Sequence, residues 1–545
     1  MVLWLIGLLL GELVQHCVRY HDGGYTVEVV TDKPDSGCVV ITTSDTSLAE
    51  TGWMHFNATT NGDYANTIQM RAVGFAEGYL FHESLHNHFM NMKDWYLKSY
   101  LHADKYPPEL EKYMQENLDW TREAAYEFGT DDSFWRHVGY TLDHFDGVVS
   151  GYGAAAEKDK ELSELELWIY FSSGDLLDIA SFITPELVPK YEEMTPEERQ
   201  DYALLRSRCS GLVRVTDRHL FVGHTAWFFY GAMTRVFKEY TLNLDDSSLA
   251  ATTFTFSSYP GFSYSFDDWI STSAGLIITE TTANVFDTTL YDHCKPQSVF
   301  AWVRSQVASR MASTGLQWQT IYQRYNSGTY NNQWLVVDLK VFDRYGTDAS
   351  RDLLWVSEQM PGRVVIDDAT ETLRNNGNYY GSYNIPSYYE LWVAAGYPDV
   401  AANDSTLDYE KAPRSHIFAR DAPSIDDVEA MKAMMRYNRW TTDPLSIAEG
   451  QQSPDPSNAI ASRYDMRTDP ERAKAFGGID SKVADYNRYT GALTAHIISG
   501  PTADDQEAWD FTKSKLFCPR RGLIDGPYRH DWQEFSMPAD WMYDP

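Results

Sequence analysis

The sequence predicts an α+β protein in which antiparallel sheets are covered by helices. Strand-like runs rich in β-branched and aromatic residues, such as "YTVEVV", "GLIITETTANVF" and "QWLVVDLKVF", are separated by turn residues. Helical spacing of apolar residues appears before and after them, in "PPELEKYMQENLDWTREAAYEF" and "IDDVEAMKAMMRYNRW". We find no internal repeat and no low-complexity tract, which argues against a solenoid. Strands and helices in this mixture are typical of a large α+β fold.

Composition and charge limit the classes of function. The chain has 545 residues, of which 43% are hydrophobic and 14% aromatic, so it is long and apolar enough to bury a large core. The formal net charge is −33, and this charge disfavours binding to nucleic acid or to anionic membranes. After the N-terminus, no apolar stretch approaches the length of a transmembrane helix. We therefore expect a protein without a transmembrane segment, and an acidic compartment suits its charge.

The N-terminal segment resembles a secretory signal. The apolar run from Val2 to Leu10 has the length of a signal-peptide core, although no basic residues precede it. We predict a signal peptide over residues 1–17, with a buried strand or helix as the alternative. Two sequons, at Asn57 and Asn403, are compatible with glycosylation of a secreted protein. The expected location is the cell exterior or a lysosome-like acidic compartment.

The cysteines do not form a disulfide framework or a metal cluster. They stand at positions 17, 38, 209, 294 and 518, without the close spacing of a zinc site. Cys17 is expected to leave with the signal peptide. At most one disulfide is expected among the others, and the sequence does not choose the pair.

The composition and the residue pattern of the chain change near residue 183. The segment 183–208, "ITPELVPKYEEMTPEERQDYALLRSR", carries three prolines and many charges, so it is either an exposed connector or a linker that is excised. Cys209 follows it directly and opens the alternating run "CSGLVRV". We predict that residues 18–182 and 209–545 are two parts of one domain.

The run that starts at Cys209 is predicted to form a hairpin with "RHLFVGH". A two-residue turn at Thr216 and Asp217 places Cys209 opposite His224, although this turn is weak and the register can slip by one or two residues. The thiol and the imidazole are then close neighbours. The pair is either a buried free cysteine beside a hydrogen-bonded histidine, or a reactive pair.

Many ordered blocks resemble the phospholipase B-like family of secreted and lysosomal proteins. They run from about residue 50 to near the C-terminus and include "GWMHFN", "AVGFAEGYL", "RCSGLVRV", "GHTAWFFYGAMTRVFKEY", "EQMPGRVVIDDATETL", "SYNIPSYYELW", "APRSHIFAR" and "GGIDSKV". The resemblance implies an N-terminal-nucleophile hydrolase fold, with four αββα layers in which helices flank two antiparallel sheets. It also implies that self-cleavage between Arg208 and Cys209 exposes the cysteine.

The same resemblance implies the chemistry. The thiolate of Cys209 attacks the carbonyl of Arg208, and the released α-amine of Cys209 then serves as the base for its own thiol. The implied activity is hydrolysis of amide or ester bonds, with phospholipid or another acylated lipid as the favoured substrate. Neither a metal nor an organic cofactor is implied, and a homo-oligomer is compatible with the sequence.

Matching motif to motif carries the family's active-site positions onto this chain. His224 is expected to orient the amine or to bind substrate, and Trp227 either walls the substrate pocket or packs in the core. Thr282 is expected to hydrogen-bond the amine, with Thr281 as the alternative. The full set is Cys209, His224, Thr282, Asn384 and Arg414 as catalytic residues, and Trp227 as a substrate-binding residue.

Two of these positions have an equally simple structural interpretation. Asn384 is expected to donate to an oxyanion, or to be a turn residue before Pro386. Arg414 is expected to anchor a carboxylate or phosphate, or to pair with an acidic side chain. The chain also departs from the family pattern, because the bulky Arg208 stands before the scissile bond and the close cysteine pair of animal members is missing after "DPLS".

A different chemistry is suggested by "HESLH" at residues 82–86. This sequence has the zinc-protease spacing, in which His82 and His86 bind the metal and Glu83 is the base. No third-ligand motif follows it, and an exposed helical histidine cluster is the simpler interpretation. A third hypothesis is a secreted or lysosomal binding glycoprotein that catalyses nothing.

Overall fold

Two large β-sheets lie face to face between helices in the computed structural model, which describes residues 13–31, 37–188, 190–206 and 208–537. The strands are β1 Val14–His21, β2 Gly24–Val29, β3 Val40–Asp45, β4 Trp53–Thr60, β5 Ser210–Val215, β6 His219–Thr225, β7 Trp227–Phe229, β8 Arg235–Thr241, β9 Thr253–Ser258, β10 Trp269–Thr272, β11 Leu276–Thr282, β12 Asn332–Asp338, β13 Leu354–Met360, β14 Arg363–Asp368, β15 Tyr379–Ser382, β16 Phe476–Gly478, β17 Asp480–Asn487, β18 Ala492–Ser499 and β19 Gln533–Met537.

Along the chain, the α-helices lie between these strands. They are α1 Asn66–Leu80, α2 His82–Trp95, α3 Pro108–Phe128, α4 Ser133–Ala155, α5 Glu164–Phe171, α6 Leu176–Ile183, α7 Pro196–Arg206, α8 Ala301–Met311, α9 Gly315–Tyr322, α10 Leu339–Tyr345, α11 Thr370–Asn375, α12 Tyr389–Ala394, α13 Tyr397–Ala401, α14 Pro413–Asp421 and α15 Val428–Met435. A π-helical turn, Tyr96–Tyr100, continues α2, and short 3₁₀ turns occur in the loops.

The sheets have simple topologies. The large sheet has eleven strands in the order β14-β13-β12-β11-β10-β9-β8-β4-β3-β1-β2, and the small sheet has six in the order β15-β5-β6-β17-β18-β19. Every pairing is antiparallel except that of β4 with β8, where the N-terminal strands join the rest of the large sheet. A two-stranded ribbon of β7 and β16 lies beside them. The predicted α+β class with antiparallel sheets is confirmed.

Apolar clusters show how the layers stack. Val213 and Val222 of the small sheet share a buried cluster with Ile277 and Leu335 of the large sheet, so the two sheets pack against each other. The other face of the large sheet packs on α1 in a second cluster. The other face of the small sheet packs on α14 and α15 in a third cluster. The order of layers is therefore helix, sheet, sheet, helix.

Burial on both faces explains the composition of the central strands. Every residue of β11 and β12 is buried, because each strand has a sheet on one side and helices on the other. The edge strand β14 is half exposed along its length. Two-sided burial favours continuous apolar runs over strict alternation, as at residues 276–278 of β11 and 334–337 of β12.

Helices α1 and α4 cross with their backbones in contact. A Cβ atom added to Gly74 would lie 2.0 Å from the His144 carbonyl oxygen, and one added to Gly147 would lie 2.2 Å from the Arg71 carbonyl oxygen. Gly78 and Gly151 make equally close approaches one turn further along. We call these four residues the glycine crossing. Only glycine permits this approach, so the sequence specifies how near the two helices lie.

The N-terminal strand changes the expectation for the cysteines. Cys17 lies in β1 and forms a disulfide with Cys38, while Cys209, Cys294 and Cys518 are free. This arrangement contradicts the expectation that Cys17 leaves with a signal peptide ending at residue 17, because such a cut would remove half of β1. Residues 1–12 of the predicted signal lie outside the described residues, and a signal there stays a prediction.

The segment before Cys209 is held against the domain. Helix α7 is anchored by Asp201, which forms ion pairs with Arg467 at 2.6 Å and with Arg472 at 2.8 Å. The carbonyl oxygen of Ala203 accepts a hydrogen bond of 3.1 Å from Asn284.

Within the described part of the chain, no helix is long and apolar enough to cross a membrane.

Candidate active site at Cys209

Cys209 lies between the two sheets, directly before β5. Its side chain is buried, and its φ angle is +81°, a left-handed conformation that non-glycine residues rarely adopt. The preceding residue, Arg208, forms an isolated antiparallel bridge with Thr282 at the end of β11. Residues held in such conformations cluster at functional sites, where the surrounding structure maintains the strain. The backbone at Cys209 is therefore strained, and the bridge to Thr282 holds the preceding residue in place.

The predicted closeness of Cys209 and His224 is confirmed, and the register is slipped by two residues, which is one of the alternatives left open. The turn between β5 and β6 is centred on Asp217 and Arg218, and His224 pairs with Gly211 instead of Cys209. Cys209 precedes Gly211 by two residues, so its side chain lies on the same face as that of His224. The Cys209 sulfur, a His224 ring nitrogen and a Glu280 carboxylate oxygen all lie within 4.8 Å of one another.

The hydrogen bonding of His224 fixes its tautomer. Its Nε2 atom lies 3.1 Å from the backbone carbonyl oxygen of Glu280, which can only accept a hydrogen bond, so Nε2 carries the proton. Nδ1 then holds the free electron pair, and it has no hydrogen-bond partner among the described residues. Burial, assisted by the positive charge of Lys482, lowers the pKa of His224 well below its ordinary value. The imidazole is neutral and has one unused acceptor atom.

The thiol of Cys209 is protonated in this environment. Burial raises its pKa well above the ordinary value, and the nearby Glu280 acts in the same direction. The backbone N–H of Trp227 donates to the sulfur and opposes this rise. A reaction at this sulfur therefore requires a group that accepts the thiol proton.

Two donors meet at the carbonyl oxygen of Arg208. The side-chain amide of Asn384 donates to it, and the backbone N–H of Thr282 donates over 3.2 Å. Asn384 also donates to the Thr282 carbonyl oxygen over 2.8 Å, and its own φ is +71°. Paired donors of this kind stabilise negative charge on an oxygen during acyl transfer. The two hydrogen bonds therefore polarise the Arg208 carbonyl group, which is bonded to the Cys209 nitrogen.

Arg414 holds this arrangement in place. It donates to the Asn384 side-chain oxygen over 2.6 Å, which turns the amide nitrogen toward Arg208. It also donates to the Cys209 carbonyl oxygen over 2.8 Å and to the Tyr383 carbonyl oxygen over 2.8 Å. The ion pairs of the described residues do not include Arg414, so the predicted pairing with an acidic side chain is wrong. Its guanidinium instead stacks on Trp227, 4.3 Å from the ring centroid.

The remaining predicted residues have distinct contacts. Thr281 accepts a hydrogen bond of 3.2 Å from the Asn384 backbone N–H and bonds the Ser382 hydroxyl over 2.7 Å. Thr282 contributes its backbone N–H, while its hydroxyl lies 3.4 Å from the Glu280 carboxylate. Trp227 is buried, and its indole N–H donates to the Ile460 carbonyl oxygen over 3.0 Å. All six predicted residues and the alternative Thr281 therefore come together.

Sequence reasoning missed a buried ion network behind His224. Lys482 pairs with Asp480 at 2.7 Å and with Asp267, and Arg235 pairs with Asp267 at 2.7 Å and with Asp480 at 2.8 Å. Lys482 stands opposite His224 in the pairing of β17 with β6. Glu280, which lies beside the thiol, was missed as well. Charged residues inside fully buried strands, such as Glu280 in "IITETT", are the signal that identifies these positions.

The zinc hypothesis finds no support in the geometry. "HESLH" does begin a helix, but His82 bonds the Tyr79 carbonyl oxygen over 2.9 Å and His86 bonds the Tyr152 hydroxyl over 3.0 Å. Among the described residues, metal-type ligands converge in threes only at Cys209, His224 and Glu280. The positive charges of Lys482 and Arg208 act on that group and oppose a cation there.

The two sequons differ in accessibility. Asn57 is half-buried in β4, between β3 and β8 of the large sheet. Asn403 is exposed in the loop after α13. A glycan has room at Asn403, which stays the better candidate for glycosylation.

Comparisons with known proteins cover nearly all of the described chain. Residues 40–532 match the family described as Phospholipase B, and this range includes every residue of the Cys209 site. Phospholipase B-like 1 of Bos taurus is 35% identical over 80% of this chain and 77% of its own length. Phospholipase B of Crotalus adamanteus is 34% identical over 82% and 78%, respectively. Phospholipase B-like protein G of Dictyostelium discoideum is 32% identical over 90% and 85%.

Proposed function

The chain belongs to the phospholipase B family, and from this we propose that it is a hydrolase that activates itself by cleaving its own Arg208–Cys209 bond. The observation that carries the proposal is the pair of donors on the Arg208 carbonyl oxygen, next to a buried thiol and a neutral imidazole. The helix, sheet, sheet, helix order of layers is that of an N-terminal-nucleophile hydrolase, and we assign the fold to that class. Cys209 becomes the N-terminal nucleophile after the cut.

The proposed self-cleavage step uses the groups that lie close together around Cys209. The Cys209 sulfur forms a bond to the Arg208 carbonyl carbon while the thiol proton moves to His224 Nδ1. The tetrahedral oxyanion is held by Asn384 and the Thr282 N–H. Collapse breaks the bond to the Cys209 nitrogen, which takes the proton from the imidazole and becomes a free amine. Water then adds its hydroxyl to the Arg208 carbonyl carbon and returns a proton to the sulfur.

The matured site repeats this chemistry on an external acyl group. The new α-amine of Cys209 has an ordinary pKa of about 7.7 to 8.0, so its neutral form can accept the thiol proton. The same two donors then stabilise the oxyanion of the substrate. Because the thiol attacks a carbonyl carbon, the bond that is cut is a carboxylic amide or ester. Arg414 acts by holding Asn384, which makes it a positioning residue.

Phospholipid or another acylated lipid is the substrate class that we favour, because the Crotalus adamanteus relative is named Phospholipase B. A secreted or lysosome-like location is supported by the Cys17–Cys38 disulfide, since disulfides persist mainly in oxidising compartments. The net charge of −33 is better tolerated where carboxylates are partly protonated.

The proposal is tested by following the fragments of the secreted full chain at acidic pH. We expect wild type to yield a fragment that begins at Cys209, identified by N-terminal sequencing and intact mass. Cys209→Ala should stay whole under the same conditions. The matched control is Cys518→Ala, which removes another free cysteine distant in sequence and should cleave normally. If Cys209→Ala is cut at the same bond as wild type, an external protease cuts it and the proposal fails.

A further inference from the structure

The Arg208 side chain fills a closed pocket beside the nucleophile. Only 4% of the residue is exposed. The carbon at the centre of its guanidinium lies 4.3 Å from the ring centroid of Phe228 and 5.6 Å from that of Phe266. A planar, delocalised cation gains from such aromatic faces, particularly when water is excluded. The shape and walls of the pocket therefore suit a guanidinium group.

The positive charge of this guanidinium acts on nearby acidic and phenolic groups. Burial raises the pKa of Glu280 to about 8 and that of Asp178 to about 6, and the positive charge of Arg208 acts against both rises. The same charge opposes the rise in pKa that burial causes at Tyr96 and Tyr330. Buried carboxyl groups that lose their cation are strongly destabilised in the ionised form. Acidic groups therefore lie near the guanidinium, while its three nitrogens have no hydrogen-bond partner among the described residues.

The position of the pocket gives it a role in turnover. Arg208 is the acyl side of the bond that the thiol attacks during self-cleavage. An external substrate must present its carbonyl to the same sulfur and the same two donors, so its acyl group must extend toward the same pocket. The pocket opens once Arg208 and the segment before it have left.

We propose that the Arg208 pocket, defined by Phe228, Phe266, Tyr96, Glu280 and Asp178, is the acyl-side specificity pocket of the mature enzyme. It selects amides or esters whose acyl group ends in a planar cation, such as an arginyl group, over those with a plain hydrocarbon chain. This proposal rests on the proposed function of acyl hydrolysis, and it replaces the lipid acyl chain favoured above with a cationic acyl group.

The first experiment uses the chain as its own substrate. Self-cleavage rates are compared for wild type, Arg208→Lys and Arg208→Met, the last being a flexible, uncharged side chain that fills part of the same space. We expect Arg208→Lys to cleave a few times more slowly than wild type and Arg208→Met at least ten times more slowly. Thermal unfolding checks that each variant is folded. A rate for Arg208→Met equal to or above that of wild type overturns the proposal.

The second experiment does not depend on cleavage. Arg208→Ala lacks the side chain from Cγ onward, and N-ethylguanidinium supplies the missing atoms. In a Cys209→Ala background, which cannot cleave, we expect this cation to raise the Tm of the Arg208→Ala variant but not that of the protein with Arg208, whose pocket is filled. The neutral probe N-ethylurea should raise neither. Equal shifts with both probes, or no shift in the variant, mean that the pocket does not select a planar cation.

The two experiments separate the two ideas. If wild type does not cleave itself but N-ethylguanidinium stabilises Arg208→Ala, the proposed function is wrong and the cation pocket stands. If wild type cleaves itself but the Arg208→Met rate is unchanged, the function stands and the specificity proposal fails. With matured enzyme, arginyl-aminomethylcoumarin should be hydrolysed at least ten times faster than an octanoyl amide of the same dye.

Discussion

The glycine crossing and the Cys209 site both hold the backbone under tight constraint, but with opposite residues. At the crossing, Gly74 and Gly147 stand where any side chain would collide with a carbonyl oxygen. At the site, Cys209 and Asn384 adopt positive φ angles, for which glycine would be the relaxed choice. The chain thus uses glycine where only packing is at stake, and accepts strain where a thiol and an amide are required.

The two regions also differ in polarity. The glycine crossing joins helices through backbone contact and apolar packing on the large sheet. The Cys209 site contains buried charged residues, including Glu280, Lys482 and Asp267. These residues are shielded from water, so their charges must be balanced by other protein groups, as in the ion pair of Lys482 with Asp267. Such groups add little to stability on their own and are retained for what they do. Four substitutions test this division between packing and function.

The largest effect is expected at the oxyanion donor. Asn384→Gly removes the amide but keeps a residue that tolerates the positive φ, so its effect reports on the hydrogen bond. Self-cleavage should slow by about a hundredfold to a thousandfold, because a single such donor is worth about 3 to 4 kcal/mol in the transition state. The measurement is the rate of fragment formation. Asn378→Gly, at another asparagine with a positive φ of +63°, is the control and should leave the rate unchanged.

At the glycine crossing, an added methyl group should lower the free energy of unfolding without affecting the reaction at Cys209. Gly74→Ala places a Cβ against the His144 carbonyl oxygen, so α1 and α4 must separate at a cost of roughly 3 kcal/mol in unfolding free energy. Gly139→Ala in α4 meets no atom within 4 Å and should instead stabilise by about 0.5 to 1 kcal/mol. Denaturant unfolding measures both. A neutral Gly74→Ala means that the helices do not touch in solution.

The loop that carries Asn384 should respond to pH through Glu358. This carboxylate accepts hydrogen bonds from Ser387, over 2.6 Å from the backbone and 2.7 Å from the hydroxyl, and burial raises its pKa from 4.5 to about 7. A raised folded pKa means that the stability contribution is complete below pH 4.5 and is lost as the pH rises to 7. Wild type therefore loses this contribution over that window, whereas Glu358→Gln has no such contribution to lose.

The expected shift in favour of Glu358→Gln is about 2 to 3 kcal/mol across the window, measured as the difference in unfolding free energy between the two proteins. Comparing the difference at two pH values removes any constant cost of the altered hydrogen bonds. Glu371→Gln, at an exposed carboxylate of α11, should leave the pH curve of wild type unchanged. If the unfolding free energy of Glu358→Gln changes with pH in parallel with that of wild type, this group does not cause the pH dependence.

The smallest effect measures the strain at Cys209 itself. Cys209→Ala and Cys209→Gly both abolish the thiol, but only glycine is relaxed at a φ of +81°. Cys209→Gly should therefore be more stable than Cys209→Ala by about 1 kcal/mol, in contrast to the positions of the glycine crossing. The midpoints of denaturant unfolding of the two variants measure this difference in stability. Equal or lower stability of Cys209→Gly means that the site holds no such strain.

Local patterns in the sequence determined the class of fold, and resemblance to the motifs of a known family indicated the members of the site. Alternating and continuous apolar runs predicted antiparallel sheets covered by helices, and ordered motifs predicted Cys209, His224, Trp227, Thr282, Asn384 and Arg414, which the fold brings together. These features depend on residue type and spacing along the chain, so they are readable before folding.

Only the tertiary structure decided the contacts between distant segments. It pairs Cys17 with Cys38, sets His224 opposite Gly211, turns Arg414 onto Asn384 instead of an acidic group, and places Glu280 and Lys482 beside the thiol. Hairpin register depends on turn geometry and on packing against the other sheet, and a charged residue in an apolar strand acquires a partner only when the layers close. Burial across the whole domain determines this register and these partners, and no local pattern in the sequence specifies them.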